Sequence, residues 1–373
     1  MSKISSSAFA DTKPHYIILD GLRGVAAIMV LWYHIFEAYA TSALDQIINH
    51  GYLAVDFFFI LSGFVIGYAY DDRWKAMRIK DFFKRRIIRL HPMVVMGSLI
   101  GAAVFYLPDY SEWQVAKVTA SMLLVATLMN AFLIPATPSA EIRGLGEMYP
   151  LNGPSWSLFF EYVGNILYAI FLRRLPTKLL AGLVGALAIG LMYFAIWNDG
   201  YMGVGWTMTP DNMIGGSLRL LFSFSAGLLL SRIFKPTRIR LNFWVIGLCI
   251  VLLTAMPRIG GSEFLWINGL YDSLCIIIVF PLLVLCGASS KIINPTTHKV
   301  CKLLGDISYP LYMVHYPFIY LYYAWVKTEN LTFIESIYGA LGVIFGSIIL
   351  AYVCLKLYDE PIRKWLSNHC FKK

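Results

Sequence analysis

The chain has 373 residues, of which 58% are hydrophobic and only 14% are charged, and its mean hydropathy is +0.64. This composition excludes an ordinary water-soluble protein and places the chain among membrane proteins. The net charge of +9 comes from Lys and Arg residues that cluster at the ends of apolar segments rather than along a basic stripe. It is therefore typical of membrane topology signals and not of nucleic-acid binding.

A series of apolar segments of membrane-spanning length, separated by short polar loops, runs from residue 16 to residue 357. The segments are 20–40, 51–70, 91–107, 118–134, 156–173, 179–197, 215–232, 241–256, 265–287, 308–326 and 333–357. We therefore predict an all-α fold, a polytopic integral membrane helical bundle that forms one domain over residues 16–358. Residues 1–15 are predicted as a cytoplasmic N-terminal tail and residues 359–373 as a basic cytoplasmic C-terminal tail.

Basic loops predict which end of the bundle faces the cytoplasm. If every segment crossed the membrane, the basic loops at 71–90 and 173–178 would lie on opposite sides. Segment 118–134 is the weakest candidate, because it carries several polar side chains and leads into a Pro/Gly-rich stretch, so we predict that it is re-entrant or interfacial. About ten transmembrane helices remain. The prediction is a multi-pass protein of the inner, cytoplasmic membrane with both termini in the cytoplasm.

The N-terminal segment has an alternative interpretation as a cleaved signal peptide, because basic residues precede an apolar run that ends in Ala38-Tyr39-Ala40. Cleavage would discard Arg23 and His34, which are hard to explain in a disposable segment.

The six cysteines are scattered, and none forms a C-x-x-C pair or a metal-ligand spacing with histidine, so we expect free thiols and no metal. They are Cys249, Cys275, Cys286, Cys301, Cys354 and Cys370.

Arg23 and His34 are the first ionisable residues of interest, because such residues inside a span usually face a cavity or a partner. Their spacing is eleven residues. Eleven helical steps come to within about 20° of three full turns and cover about 16 Å, so both side chains share one helix face. With Arg23 near the cytoplasmic end and His34 near the middle of the membrane, the pair could hold two ends of one extended ligand. The alternative is a topology-setting arginine and a hydrogen-bonded core histidine.

Two acidic residues lie in the next apolar segments. Asp56 and Ser62 interrupt a stretch of aromatic and aliphatic residues in segment 51–70. Asp56 either orients a histidine or an arginine by hydrogen bonding or pairs with another residue within the bundle. Glu161 follows a stretch in which Ser155 or Ser157 can cap a helix. A carboxylate that faced lipid would be costly, so we predict that Glu161 lines a cavity and pairs with a histidine, an arginine or the substrate.

Arg85, Arg86 and Arg89 lie at spacings of three and four residues, so on a short helix their guanidinium groups can form a phosphate receptor. A purely topological role explains the charge equally well. Near the C-terminus, Tyr312 and His315 share a helical face. Tyr312 has the alternative of an interfacial aromatic belt, and His315 that of a structural hydrogen-bonding residue.

Five motifs occur in an order that resembles the acyltransferase 3 family. They are LDGLRG with R-x10-H, VDFFFILSGF, RRIIRLHP, SWSLFFE and SYPLYMVHYP, which together span about residues 16–317. The chain departs from the family pattern at His91, where an aromatic residue is common before the proline. The resemblance implies a ten-helix architecture and transfer of an acyl group, most often acetyl, from a coenzyme A thioester to a hydroxyl of a cell-surface carbohydrate or related acceptor. It also implies that Arg23 and His34 are the essential pair.

A histidine with a pKa near 6.5 is well matched to removing the proton of a sugar hydroxyl as the oxygen attacks a thioester, so we predict His34 as the general base. Arg23 and the three arginines of the RRIIR stretch, Arg85, Arg86 and Arg89, are predicted to bind the phosphates of acetyl-CoA, the acyl donor. The remaining assignments are Glu161 and Asp56 as catalytic carboxylates, and Ser62, Trp156, Tyr312 and His315 at the substrate or oxyanion. The predicted partners are acyl-CoA, a glycan or other hydroxyl-bearing acceptor and the lipid bilayer, with no nucleic acid.

Three alternatives to this mechanism stay open in the sequence. An acyl-enzyme route would place the acyl group on His34 or a serine, although no serine has an obvious base at helical spacing. A carrier for lipid-linked sugars would use the arginine and histidine as a gate, but the inverted repeats of many carriers are not evident. A non-catalytic scaffold would leave His34 and Glu161 without a role.

Overall fold

A computed structural model describes residues 13, 15–42, 45–108, 110–236 and 241–371. Over these residues the regular structure is helical, apart from an isolated bridge between Glu147 and Thr207. The described α-helices are α1 (Ile17–Glu37), α2 (Ala54–Tyr70), α3 (Ile79–Ala103), α4 (Ala120–Ala131), α5 (Ser155–Ile170), α6 (Thr177–Trp197), α7 (Pro210–Ile233), α8 (Phe243–Ala255), α9 (Trp266–Leu274), α10 (Phe280–Ser289), α11 (Pro295–Val314), α12 (Tyr316–Thr328), α13 (Phe333–Cys354) and α14 (Glu360–Phe371). Short π-helical segments, Cys275–Val279 and Leu355–Asp359, join α9 to α10 and α13 to α14.

The predicted all-α membrane bundle is confirmed. Within the described residues, seven helical runs are long and apolar enough to cross a bilayer. They are Ile17–Glu37, Gly51–Tyr70, Ser155–Arg174, Thr177–Trp197, Pro210–Ile233, Trp266–Ser289 and Phe333–Phe371. Helix α8 is apolar but shorter, and α3 and α11 carry charged residues in their N-terminal halves. All six cysteines lie in the described residues and are free.

Helix α4 turns back within the bundle. Its 12 residues cover about 18 Å, less than the hydrocarbon thickness of about 30 Å. Its last turn reaches the interior, where the Asn130 side chain donates to Ser98 of α3 at 2.9 Å. The chain segment after it returns to the end of α3, because a side chain on Gly101 would collide with the Leu151 carbonyl. The end of α3 therefore lies beside the start of α5 at the same end of the bundle, as expected if α4 between them is re-entrant.

The helices consequently alternate between two ends of the bundle. We call one end the basic face; it carries the first turn of α1, the 71–78 and 171–176 loops and the last turn of α14. We call the other end the histidine face; it carries the last turn of α1 and the loops at 132–154 and 198–209.

Three element boundaries differ from the prediction. Helix α3 begins at Ile79, so the arginine block is part of one long helix with the apolar segment rather than of a short helix before residue 91. Helix α11 begins at Pro295 instead of 308 and breaks at His315, just before Pro317. Most of the segment predicted as a C-terminal tail forms the helix α14. Residues 372–373, most of the predicted tail 1–15 and part of the basic loop 231–240 lie outside the described residues.

Glycines let two pairs of helices approach closely. At Gly24 of α1, an added Cβ would lie 2.5 Å from the Leu304 carbonyl oxygen of α11. At Gly227 of α7, it would lie 2.0 Å from the Ile60 carbonyl oxygen of α2. Small residues at such crossings allow backbone contact, which is a main source of helix association in a membrane.

We expect Gly227→Ala to destabilise the bundle by about 1–3 kcal/mol, because the methyl group must push α2 and α7 apart. Gly185→Ala in α6 is the matched control, since nothing lies within 4 Å of the added atom. Melting temperatures of the two purified variants in detergent measure the difference. Equal melting temperatures would show that the close crossing does not contribute to stability.

Candidate active site

A cavity of about 2240 Å³ extends into the bundle from the basic face. Its walls come from α1, α2, α3, α5, α11 and the C-terminal run from Leu355 to Phe371. Nine Lys or Arg side chains and six Asp or Glu side chains line it, so the cavity carries an excess of positive charge. An excess of this kind attracts anionic ligands.

Arg23 lies in the cavity wall with its orientation fixed by α11. Its Nε atom donates to the Ser308 hydroxyl at 2.9 Å, and Nη2 donates to the Gly305 carbonyl at 3.3 Å. Asp20, one turn earlier, lies 3.1 Å from Nη2. Part of the guanidinium stays exposed to the cavity, where it can bind an anion.

Glu161 also lines the cavity. Its Oε1 atom accepts from Arg86 Nη2 at 2.8 Å and from the Ser62 hydroxyl at 3.0 Å. This network ties α5 to α3 and α2. The predicted pairing of Glu161 with an arginine is therefore present, and its partner is Arg86.

Arg89 is the cation most available to a ligand. It is exposed to the cavity and makes no hydrogen bond or ion pair with any described residue. The charges of Arg23, Arg86 and Arg363 all act on it. Arg85 lies one turn nearer the mouth, with its guanidinium carbon 4.5 Å from the centroid of the Phe371 ring.

The inner end of the cavity is closed by aromatic and hydroxyl groups. Ser157 and Tyr312 share a hydrogen bond of 2.7 Å between their hydroxyl oxygens, and the Phe58 ring packs edge-on against Tyr312. The next ring beyond Tyr312 is His315, at a centroid distance of 5.9 Å, followed by His34 at 5.6 Å from His315. One ring layer thus separates the cavity from His34.

His34 lies in the last turn of α1, close to the histidine face. Its ring packs against His315 and edge-on against Tyr316 at 4.7 Å, while Arg23 contacts Ser308 of α11. Both side chains therefore face the α11–α12 side of the bundle, as their spacing predicts.

Glu37 is the hydrogen-bonding partner of His34 among the described residues. The His34 Nδ1 atom lies 2.9 Å from Glu37 Oε2. A carboxylate only accepts, so Nδ1 carries the proton and Nε2 keeps its lone pair in the neutral ring. The two side chains are 15% and 30% exposed, and both belong to the histidine face.

His315 has one ring nitrogen without a partner in the described part of the chain. Its Nδ1 atom lies 3.0 Å from the Leu311 carbonyl, which can only accept, so Nε2 again carries the lone pair. That Nε2 atom is buried and makes no hydrogen bond. The ring lies between the cavity and His34, where a polar reactant could satisfy it.

Asp56 and Trp156 lie outside the lining of this cavity, and Asp56 pairs within the bundle, which is one of the two alternatives for it. Asp56 accepts from Arg219 of α7 through Nη2 at 2.7 Å and through Nε at 3.1 Å, and both residues are fully buried. Arg219 also donates to the Val204 and Tyr52 carbonyls. Trp156 packs beside this guanidinium, which lies 5.2 Å from its ring centroid. Asp56 and Glu161 each bind an arginine, whereas the carboxylate that hydrogen-bonds to His34 is Glu37.

The sequence reasoning missed Glu37, although a carboxylate three residues after a histidine lies on the same helix face. It also missed a second acidic group, Glu147, in the loop at 132–154.

Glu147 belongs to a buried network at the histidine face. It accepts a hydrogen bond from Tyr320, and Arg143 lies 3.6 Å from the centroid of the Tyr320 ring. Burial raises the pKa of the Glu147 carboxyl to about 7, although Tyr320 and Arg143 act in the opposite direction. The carboxyl therefore titrates near neutral pH.

This shift predicts a pH-dependent stability. The folded chain holds the Glu147 proton up to about pH 7, whereas the unfolded chain releases it near the ordinary value of 4.5. Stability therefore falls as pH rises through this window, by at most about 3 kcal/mol. The amide introduced by Glu147→Gln cannot ionise. We therefore expect the free energy of unfolding of this variant to lose up to that amount less than the wild type between pH 5 and 8, as measured by melting curves. Glu329→Gln, at an exposed position, is the control, and parallel curves for the Glu147 variant and the wild type would contradict the assignment.

Comparison with known proteins places the chain in a family. A model of the acyltransferase domain matches residues 16–356. The chain is 31% identical over 188 residues to protein 2 in the picA locus of Rhizobium radiobacter, covering 48% of this chain and 94% of that protein. It is 25% identical to the peptidoglycan O-acetyltransferase OatA of Listeria monocytogenes and 23% identical to the O-acetyltransferase OatA of Staphylococcus aureus.

These two matches cover 93% and 94% of this chain but only 55% and 58% of the relatives, so the chain spans little more than half of their length. No solved structure matches the chain significantly. The family match extends over nearly all of the described bundle, including both histidines and most of the cavity wall, but not the wall residues from Asp359 to Phe371. The chain therefore belongs to the acyltransferase 3 family.

Proposed function

We propose that the protein is a membrane O-acetyltransferase that transfers an acetyl group from acetyl-CoA to a hydroxyl of a cell-surface polymer. The names of the OatA relatives support the reaction and the class of acceptor. The main support for the proposal is the arrangement of two groups. A cationic cavity opens at one end of the bundle, and a histidine–glutamate pair lies at the other. The rings of Tyr312 and His315 lie between them.

The donor occupies the cavity. Its phosphates bind Arg23, Arg86 and Arg89, with Arg85 nearer the mouth, because guanidinium groups suit phosphate geometry. Its acyl end points toward Ser157 and Tyr312. The axial distance from Arg23 to His34 is about 16 Å, which suits an extended pantetheine arm.

The acceptor approaches from the histidine face. His34 is the general base, and Glu37 orients its ring and stabilises the imidazolium that forms. Tyr316 and Tyr33 pack edge-on against the His34 ring, and aromatic faces of this kind are suited to the apolar side of a sugar. His315 contacts the reacting groups from the other side of His34.

The chemical step is a direct transfer. His34 Nε2 takes the proton of the acceptor hydroxyl while the oxygen attacks the thioester carbonyl, which forms a C–O bond and a tetrahedral oxyanion. Tyr312 is the oxyanion donor, because its hydroxyl lies at the inner end of the cavity, on the side toward His34. Collapse breaks the C–S bond, and the departing thiolate takes the proton from the imidazolium. The acetylated acceptor and free coenzyme A leave on opposite faces.

The orientation follows from charge. We place the basic face in the cytoplasm, because Lys and Arg residues mark the cytoplasmic ends of membrane helices. Both chain termini then lie in the cytoplasm, and the histidine face lies outside an inner, cytoplasmic membrane. This orientation gives the donor cavity access to cytosolic acetyl-CoA and gives His34 access to the surface polymer.

The base assignment predicts a loss of turnover. We expect His34→Ala to lower kcat by about 10²- to 10⁴-fold, without loss of acetyl-CoA binding. The assay incubates the purified full chain in liposomes with radiolabelled acetyl-CoA and a panel of acceptors that includes peptidoglycan fragments. His369→Ala is the control, because His369 lies on α14 outside the cavity wall.

Two results would overturn this proposal. Label transfer that is as fast in the His34 variant as in the wild type would show that His34 is not the base. Movement of substrate across the vesicles with no label transfer at all would favour the carrier.

The pairing of His34 with Glu37 makes a separate prediction. We expect Glu37→Gln to lower kcat at least about tenfold and to leave KM for acetyl-CoA unchanged, because the amide cannot balance the imidazolium charge. The pH at which the rate reaches half of its maximum should also shift, and Glu37→Asp should restore part of the rate. Glu329→Gln, also at the histidine face, is the control. A lower rate with an unchanged pH profile would assign Glu37 to folding alone.

A further inference from the structure

Helix α14 closes one side of the donor cavity, although its sequence predicts only a basic tail. Arg363, Lys364, Ser367 and Asn368 all line the cavity. These four positions share one face of a helix, because residues three to five apart lie close together on its surface. The residues Trp365 and His369 lie outside the cavity wall.

The helix α14 runs antiparallel to the first turns of α3. Near its end, Phe371 lies beneath the guanidinium of Arg85, and near its start, the charge of Arg363 acts on Arg89. Arg89 is deeper in α3 than Arg85. The basic side chains of the two helices therefore face the same space over more than one helical turn.

The two cations of α14 differ in their partners. Arg363 Nη1 donates to Asp359 Oδ2 at 3.0 Å, and Asp359 is only 1% exposed, so this ion pair anchors the helix. Lys364 is exposed and makes no hydrogen bond or ion pair with any described residue. It extends the unpaired positive charge of Arg89 toward the mouth of the cavity.

We propose that α14 binds the nucleotide end of the donor, with Lys364 contacting the 3′-phosphate of coenzyme A and Asn368 and Ser367 offering further hydrogen bonds. This inference rests on the proposed donor. It follows from the order of groups along the cavity. The acyl end points past Ser157 and Tyr312 toward His34, about 16 Å along α1 from Arg23, and the pyrophosphate lies at Arg23 and Arg89. The phosphorylated ribose then reaches the mouth, where α14 presents the unpaired cation of Lys364. A phosphate monoester is the shared chemistry of this group and of some lipid headgroups, and we assign it to the donor.

The test measures the binding of coenzyme A and 3′-dephospho-coenzyme A to the full chain in nanodiscs of neutral phosphatidylcholine. We expect the wild type to bind coenzyme A about tenfold more tightly, since a charge-assisted hydrogen bond to a phosphate is worth about one order of magnitude. In Lys364→Gln, this preference should fall to about twofold or less, with binding of the dephosphorylated ligand unchanged.

Two further variants keep the test interpretable. Lys299→Gln removes the same charge from an exposed position of α11 outside the cavity wall, and its ligand preference should equal that of the wild type. The pair Asp359→Asn with Arg363→Gln removes both members of the α14 ion pair without changing the net charge. We expect it to weaken coenzyme A binding, and its melting temperature shows whether the bundle stays folded.

The outcomes separate this inference from the proposed function. If the wild type binds coenzyme A and Lys364→Gln keeps the full preference for the 3′-phosphate, the role of α14 is wrong while the donor assignment stands. If the wild type binds neither ligand, both are wrong. If Lys364→Gln changes only the binding of vesicles that contain phosphatidic acid, α14 contacts lipid headgroups and not the donor.

Discussion

Charge inside this bundle is governed by the cost of desolvation, which is on the order of several kcal/mol for each ion without a partner. Asp56 and Arg219 meet that constraint by pairing, and the guanidinium also satisfies two backbone carbonyls. Arg89 meets it differently, because it faces a large cavity instead of a carboxylate. The first pair is closed to ligands and joins α2 to α7, whereas Arg89 remains available. A charge inside the bundle that faces a carboxylate thus stabilises the fold, whereas one that faces the cavity can bind a ligand.

The cost of desolvation also applies to the proposed binding sites for the donor and the acceptor, which lie at opposite ends of the bundle. Arginines are concentrated in the cavity at the basic face, while His34 and Glu37 lie at the histidine face. Between them, Tyr312 and His315 form a thin partition of aromatic rings held by hydrogen bonds to Ser157 and to the Leu311 carbonyl. In the proposed reaction, the acyl group crosses this thin partition while the polar ends of the donor and acceptor stay on their own sides. The break between α11 and α12 at His315 places this ring at the partition.

Helix crossings supply the rigidity that such an arrangement needs. Gly24 brings the α1 backbone against α11, so Arg23 and His34 are held relative to Ser308 and His315 by a single close crossing. On the other side of the cavity, Glu161 connects α5 to α3 and α2 through Arg86 and Ser62. The C-terminal helix α14 completes the wall and contributes further basic side chains. The cavity is therefore bounded by elements from nearly the whole length of the chain.

Local patterns were sufficient for much of this protein. Hydropathy located most of the helices within a few residues, although it missed the charged first halves of α3 and α11, and charge in the loops indicated that α4 does not cross. Helical periodicity placed Arg23 and His34 on one face. Partners could not be deduced in this way, because which groups meet depends on how distant helices pack. Only the tertiary structure assigned Asp56 to Arg219 and Glu161 to Arg86, showed Glu37 beside His34 and brought α14 against the arginines of α3. Each of these contacts, apart from the one within α1, joins segments far apart in the chain, and a single sequence carries no signal of that distance.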